Sequence, residues 1–513
     1  MSLLTIQLGQ YGNQMGTRLF DILSTEYANY DPHTSELFFQ ENEEKKKKAR
    51  CILVDMEDKV VLRSLEEASR SATWKYDPKN VFVRESGAGN NWAFGYQRLS
   101  KTMHEVVLEM ARKEVERCSN FEGFLMLHSL AGGTGSGVGT RLTEILRDEY
   151  PSSLIINQVA WPFLTGDVVV QNYNGVLSLA HLNQVSNAII VSENEVLRNT
   201  CTRLLGIKEP SFNDMNTVIA ENIAGAFLPS CPVPLSSLSS IPTLLASSSS
   251  REGLWPQGSL NLFSPAPLLS LPTQTSSSSA SPSSSSSSSS TSPASTSTTL
   301  TSFELSFLGK ASLCSSASSL ISQVTGHPGF KLLSFKSVPH VTAKALKHTE
   351  DTWPSLLRRL FEMVALNAQT EDRVRTVSSA IAPPCISLSN DLFMRGTQFQ
   401  VATNAKDTVK CIERFNEPSL LPSWAIQGLN VWISSVSFRS LPTYSAVLSN
   451  SQAILSPLKT MMQNALVMSS IGAHLNHYEK FGIGKDHFED CLCEVEQIIE
   501  NYDSLSHTSG AKT

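Results

Sequence analysis

Residues 129–140 read SLAGGTGSGVGT and lie between an apolar run, GFLMLHS (123–129), and an amphipathic one, VGTRLTEILRDEY (138–150). Within seven residues fall Gly132, Gly133, Gly135 and Gly137. Glycine placed this densely between a strand and a helix lets the backbone approach something closely. Successive N–H groups can line a phosphate there, and the following helix N-terminus adds a favourable field. Thr134 and Ser136 add hydroxyls. The loop has no Gly-Lys-Ser/Thr ending, so it is not the common P-loop, and a tight strand–helix turn would use the same residues.

On either side, short apolar runs alternate with helical periodicity, which predicts an α/β sheet up to about residue 228. LLTIQL, CILVDM, GFLMLHS, LIINQVA and NAIIVS are the candidate strands. Met15, Leu19, Ile22 and Leu23 form one helical face, and Val138, Leu142, Ile145 and Leu146 form another. In such a doubly wound fold, ligands sit at the carboxyl ends of the strands. Three further stretches fall at those ends. GAGNNWAFG (87–95) is a second glycine-rich loop, in which Asn90 and Asn91 offer amide donors or simple turns. LVDMED (53–58) places Asp55 and Glu57 at a strand end, hard oxygen ligands suited to Mg²⁺ or to a solvated loop. GQYGNQ (9–14) supplies Gln10 and Gln14 where the first strand becomes a helix. Together these stretches predict a nucleotide site.

Composition narrows the class. Net charge is −6 and charged residues make up 17% of 513, which gives no electrostatic case for nucleic acid. Nine cysteines without paired spacing predict reduced thiols. The opening MSLLTIQLGQYGNQMG lacks a basic start, so no secretory leader is expected, and no membrane-length apolar window occurs. Residues 229–319 break the α/β pattern: SSSSASPSSSSSSSSTSPASTSTTLTS (276–302) contains an unbroken serine run from Ser283 to Ser290. Such a segment buries too little apolar surface to offset its ordering entropy, and we read it as a disordered insert. It is either a phosphorylatable linker or a variably spliced piece. Order is expected again over 320–454, with a helix at WPSLLRRLFEMVAL and strands near FQVATN and NVWISSV. From 455 to 513 a helical region and tail are expected, with Phe488, Leu492, Val495, Ile499 and Tyr502 as one stripe. His474 and His477 in HLNH stand at i, i+3, short of a metal site unless other ligands join them. Cys491 and Cys493 should point apart on a helix.

GGTGSG together with QLGQYGNQMG, LVDME and GAGNNWA, in this order, resembles the tubulin superfamily, as do NYNGVLSLAHL, ENEVL and FNDMN. GNNWAFGY, QNYN after GDVVV, and YEKFGIGKDHF resemble its delta branch more than its alpha, beta or gamma branches. The resemblance covers everything but the insert. It implies a doubly wound GTP-binding domain with a central helix including Thr217 to Phe227, a second, smaller α/β domain and a C-terminal helical layer. It implies GTP or GDP held by Ser129 and by Ala131, Gly132, Gly133, Thr134, Gly135, Ser136 and Gly137 around the phosphates. Gln10 would lie beside the phosphates and Tyr11 near the base; Ala88, Gly89 and Asn90 would close on the γ-phosphate. Asn194 and Asn216 would read the guanine edge. Phe212 stands where the family often has tyrosine, and Gln171 where alpha and beta chains place a ribose-contacting glutamate. Glu57 and Asp55 would act on Mg²⁺, partly through water.

Two departures matter. The loop that in microtubule-forming tubulins presents acidic residues to the next subunit's nucleotide would fall at the insert boundary, and CSSASSLISQV contains no acid. GTP binding without efficient hydrolysis follows. The tail SHTSGAKT also lacks the acidic run of alpha- and beta-tubulin. The resemblance implies a structural protein of centrioles and basal bodies that supports triplet microtubules and ciliogenesis, with other tubulins, epsilon-tubulin among them, as partners. It implies residence in the cytoplasm and cytoskeleton, at the centriole and cilium basal body, with the nucleus left open. An active self-assembling GTPase that forms filaments, or a tubulin-fold interaction protein without nucleotide, are the alternatives.

Overall fold

The computed structural model describes residues 1–40, 46–84, 87–166, 168–235, 316–342, 352–371, 384–396, 405–425 and 428–507. In chain order the strands are β1 (Ser2–Leu8), β2 (Phe39–Gln40), β3 (Lys47–Ala49), β4 (Cys51–Asp55), β5 (Trp74–Lys75), β6 (Val81–Val83), β7 (Phe121–Ser129), β8 (Leu154–Trp161), β9 (Ala188–Glu193), β10 (Cys231–Val233), β11 (Leu332–Val338), β12 (Ser387–Gly396), β13 (Leu429–Ser434) and β14 (Thr443–Ser451). The helices are α1 (Gly9–Glu26), α2 (Asp58–Arg70), α3 (Ser100–Glu116), α4 (Gly139–Glu149), α5 (Gln171–Val185), α6 (Asn194–Arg203), α7 (Phe212–Phe227), α8 (Ala317–Val324), α9 (Trp353–Ala365), α10 (Ala405–Glu413), α11 (Leu455–Ser470), α12 (Leu475–Glu479) and α13 (Lys485–His507).

All five expected strands of the first region form, and all are parallel: β4 and β7 flank β1, and β8 and β9 continue beyond β7. From β1 the chain winds outward through β4 and β6, then returns to β7 and winds the other way. The reversal between β1 and β7 is a topological switch point, where the strand ends open a crevice. Each strand is apolar on both faces, as a parallel sheet covered by two helical layers requires. Leu3, Leu53, Leu125 and Leu127 pack with Met15, Leu19, Ile219 and Ile223 of α1 and α7. Leu4, Ile6, Val54 and Met126 face Met103, Val107, Leu142 and Leu146 of α3 and α4.

The second region does not build a separate sheet. Leu332, Leu333 and Ser334 of β11 pair in parallel with Ile189, Ile190 and Val191 of β9, so one eleven-stranded sheet runs from β6 to β10. Both edges of the interval read as an insert, 229–319, are ordered: β10 pairs with β13, and α8 begins at Ala317 under a Ser316 cap. The pairing partner two hundred residues downstream carries the information that local composition lacks. Residues 236–315, the tail 508–513 and the strand expected at FQVATN lie outside the described residues.

The C-terminal helices pack on α5 through Phe488, Leu492, Val495 and Tyr502; Ile498, not Ile499, completes the buried stripe. Ile499, beside it, is partly buried and packs against the same cluster. Cys491 is buried and Cys493 exposed, as their spacing requires. His474 has left-handed φ of 62° ahead of α12, so it shares no helix face with His477.

Candidate functional site

Where β1 ends, Gly9 turns the chain at φ 69°, a conformation that only glycine adopts cheaply. Its α-carbon side faces the backbone of Gly135, so the start of α1 and the glycine loop after β7 form adjacent walls. Thr134–Val138 makes one π-type turn before α4, and Phe94–Leu99 makes a second before α3. The two turns face each other, with Gly137 against the carbonyl of Trp92. Single π-turns inside helices recur at functional sites.

A cavity of about 540 Å³ opens at this switch point. Its size suits a small organic ligand. Gln10, Tyr11, Ala88, Gly89, Asn90, Ser129, Ala131, Gly132, Gly133, Thr134, Gly135, Gln171, Asn194, Phe212 and Asn216 line it, as do Asp55 and Glu57. Residues from seven separate stretches of sequence thus converge. Ser136 and Gly137 do not line it. Ser136 is fully buried and its hydroxyl folds back onto the carbonyl of Gly132, while Gly137 gives room for the neighbouring turn.

Several side chains are held in place by identifiable contacts. Tyr11 Oη donates to Gln158 Oε1 at 2.8 Å, which turns its hydroxyl toward the sheet. Gln171, the first residue of α5, donates from Nε2 to the carbonyl of Phe163 at 2.7 Å. Ser211 and Asp214 form a reciprocal capping box that starts α7 at Phe212, five residues earlier than Thr217. Phe212 and Asn216 therefore stand one turn apart on one face. Phe212 is 55% exposed with its ring 6.4 Å from Phe163, a free apolar plate at the cavity mouth. Asn216 is 2% exposed, and its Nδ2 meets no protein acceptor.

Asp55 offers a second orphan. Its Oδ1 accepts from the Met56 N–H at 2.7 Å, but the buried Oδ2 meets no protein donor. Burial, with Glu57 two residues away, pushes this carboxyl up to about 6. Buried polar atoms are almost always paired, so an unpaired amide donor and an unpaired carboxylate in one cavity mark places for ligand atoms. The oxygen donors of Asp55 and Glu57 fit a divalent cation. His128, on β7 beneath the loop, hydrogen-bonds Asn157 and is held down to about 4 by complete burial; it is a neutral prop and does not reach the cavity.

Asn174 was not among the residues expected to matter. Its Nδ2 donates to the carbonyls of Asn90 (2.9 Å) and Ala131 (2.7 Å), and its Oδ1 accepts from Trp92 N (3.1 Å) and Tyr478 Oη (2.7 Å). One buried amide ties both glycine-rich loops to the C-terminal helices. The signal for it is in the sequence: Gln171, Asn174, Ser178 and His181 recur at spacings of three and four along one face of α5.

These loops, the switch-point cavity and the capped helix beside it define a nucleotide-binding α/β domain, and comparison with known proteins sharpens the class. Residues 2–202 match the Tubulin/FtsZ family GTPase domain. The tubulin delta chains of Macaca fascicularis and Homo sapiens are each 32% identical to this chain over 526 aligned positions, covering 98% of it and all of the relative. That of Mus musculus is 30% identical with the same coverage. The chain belongs to the tubulin family, with similarity to delta chains along nearly its whole length. It is a cytoskeletal protein with a guanine-nucleotide-binding domain. Among the described residues, no helix is long and apolar enough to cross a membrane.

Proposed function

We propose that this chain is a GTP-binding structural protein of centrioles and basal bodies, which supports triplet microtubules and cilium formation. The observation that carries the nucleotide part is the pair of buried, unpartnered groups in one glycine-walled cavity, Asn216 Nδ2 and Asp55 Oδ2. On this reading the backbone of Ala131–Gly135 and Ser129 surround the phosphates, with Gln10 beside them. Ala88, Gly89 and Asn90 approach the terminal phosphate. Asn194 and Asn216 read the guanine edge, Phe212 and Tyr11 flank the base, and Gln171 meets the ribose as a neutral group. Asp55 and Glu57 would hold Mg²⁺, which supplies positive charge to the phosphate oxygens.

Chemistry beyond binding finds little support. His128 is buried and neutral, and the first turn of α8, where a hydrolysis-completing acid would be expected, contains none. The chain's own residues bind, orient and exclude water. Asn174 joins the two phosphate-side loops to Tyr478, so ordering of Asn90 by a terminal phosphate favours one arrangement of the surface formed with the C-terminal helices. That surface would meet other tubulins, with epsilon-tubulin and centriolar microtubules as the partners proposed, in the cytoplasm, the centriole and the cilium basal body.

The cellular part is tested by depleting the protein from ciliated cells and counting microtubules in each centriole blade by electron microscopy. Loss of triplets, restored by the wild-type chain but not by Thr134→Lys, is expected. Intact triplets after depletion would contradict the assignment.

A further inference from the structure

Away from the cavity, three potential ligand groups converge between α5 and α13. His181 Nε2 and His487 Nε2 are 3.2 Å apart, and Cys491 Sγ is 3.8 Å from His487 Nε2. All three ligand atoms lie within 4.8 Å of one another. Two imidazole nitrogens this close cannot both present bare lone pairs: either one carries a hydrogen that bridges them, or a metal ion sits between. Around a tetrahedral zinc, metal–ligand bonds of about 2.0 Å to nitrogen and 2.3 Å to sulfur put neighbouring ligands roughly 3.3 to 3.6 Å apart. The two separations that involve His487, 3.2 and 3.8 Å, are close to those edges, and the third lies within 4.8 Å.

The surroundings match a metal centre as well. His181 Nδ1 donates to Glu144 Oε1 at 2.7 Å, which fixes the tautomer that leaves Nε2 with its lone pair facing His487. A carboxylate behind a histidine in this way is the usual outer support of a metal-bound imidazole. Glu144 is itself held through Oε2 by Tyr96 Oη and Arg141 Nη1, each at 2.8 Å. Cys491 lies one helical turn after His487, so α13 presents both from one face, while α5 presents His181. The two histidines are half-buried and the cysteine buried, which leaves a route for an ion from solvent. His474 and His477, the pair the sequence brought forward, stack 6.1 Å apart with no third ligand among the described residues.

We infer that His181, His487 and Cys491 form a site for a single zinc-type divalent transition metal, which clamps the C-terminal helix onto the nucleotide domain. Two imidazoles and one thiolate make a borderline-soft ligand set that favours zinc over magnesium or calcium. Three protein ligands leave the fourth position to water. On binding, the Cys491 thiol loses its proton to solvent as the sulfur–metal bond forms, with no change of oxidation state. The Trp92 ring lies 5.3 Å from that of His181 and stacks on Tyr96 at 4.3 Å. The clamp therefore adjoins the stretch that follows Asn90, itself in the cavity wall, and does not depend on what the cavity binds.

The full-length chain, freed of metal with a chelator, is titrated with Co²⁺ and, separately, equilibrated with Zn²⁺ and dialysed for metal analysis. The expected result is about one Zn²⁺ per chain, a Co²⁺ spectrum with a thiolate-to-cobalt charge-transfer band, and a higher Tm with zinc. Cys491→Ser should remove that band, and His487→Gln should remove the zinc-dependent rise in Tm. A folded wild-type chain that gives no thiolate–cobalt band would overturn the inference in favour of a proton-bridged histidine pair. So would variants that bind metal as the wild type does. The wild-type spectrum decides the matter even if a variant fails to fold.

Discussion

Asn216 illustrates how a single side chain can carry a specificity. It is buried in the wall of the cavity with an unsatisfied amide donor, a state that costs about 1–3 kcal/mol unless a ligand acceptor completes it. Asn216→Ala is expected to cut the preference for GTP over ATP about tenfold or more, read by competition binding. Retained preference would mean that another group reads the base. Thr134→Lys should abolish binding, because the long side chain fills the space walled by the glycine loop. Asn174 works differently. It touches no expected ligand atom but holds four partners from three parts of the chain. Asn174→Ala should lower stability by about 2–3 kcal/mol and weaken nucleotide binding at the same time. A stable variant with unchanged affinity would show that the loops stand without it. The glycine loop was legible because glycine's backbone freedom is a property of the residue itself. Asn174 was harder to see because a polar residue on a helix face is ordinary until its burial is known.

At the scale of elements, strand β12 carries two buried ionisable side chains, Asp391 and Arg395, two pleat repeats apart on one face. Arg395 is fully buried and donates to the carbonyls of Gly225 (2.6 Å) and Pro229 (3.0 Å) and to Tyr30 Oη (3.0 Å). It satisfies the carbonyl end of the central helix α7, whose last residues have no partners of their own. Arg395→Ala should cost about 3–5 kcal/mol by leaving those acceptors dry, measured by denaturant unfolding; a loss under 1 kcal/mol would show that water takes over. Asp391, also fully buried, accepts from Asn430 Nδ2 at 2.7 Å, and burial pushes its carboxyl up to about 7. An unfolded aspartate titrates near 3.9, so between about pH 4 and 7 the folded chain keeps a proton that the unfolded chain has lost. This contribution is complete below about pH 4 and is lost as pH rises to 7, at most about 4 kcal/mol in all. Asp391→Asn should flatten stability over that window and be the more stable protein at pH 8. An unchanged slope would remove Asp391 as its source. Neither residue was visible beforehand, because each acts through partners more than thirty positions away. The five parallel strands were visible, because apolar runs of strand length between helical periods are a local signal.

Across the whole molecule, one sheet joins the nucleotide half to the second half through the β9–β11 pairing, and α13 closes the same body from the other face. Sequence reading placed a boundary near residue 228, where composition changes, yet β10 pairs within the second half and returns the chain to the common sheet. Composition reports what a segment can bury and is silent on which edge it joins. Replacing residues 236–315 by a short glycine–serine linker should leave Tm and nucleotide binding unchanged, since closing a long loop costs little more than closing a short one. A large fall in either would show that the serine-rich stretch contributes to the fold. The central claim, that this switch-point cavity holds a guanine nucleotide, is tested most directly by releasing bound nucleotide from gently purified full-length chain and identifying it by chromatography. Close to one guanine nucleotide per chain, with GTP prominent and lost in Thr134→Lys, is the expected result. A well-folded chain that releases no nucleotide, or releases adenine nucleotide as readily, would contradict it.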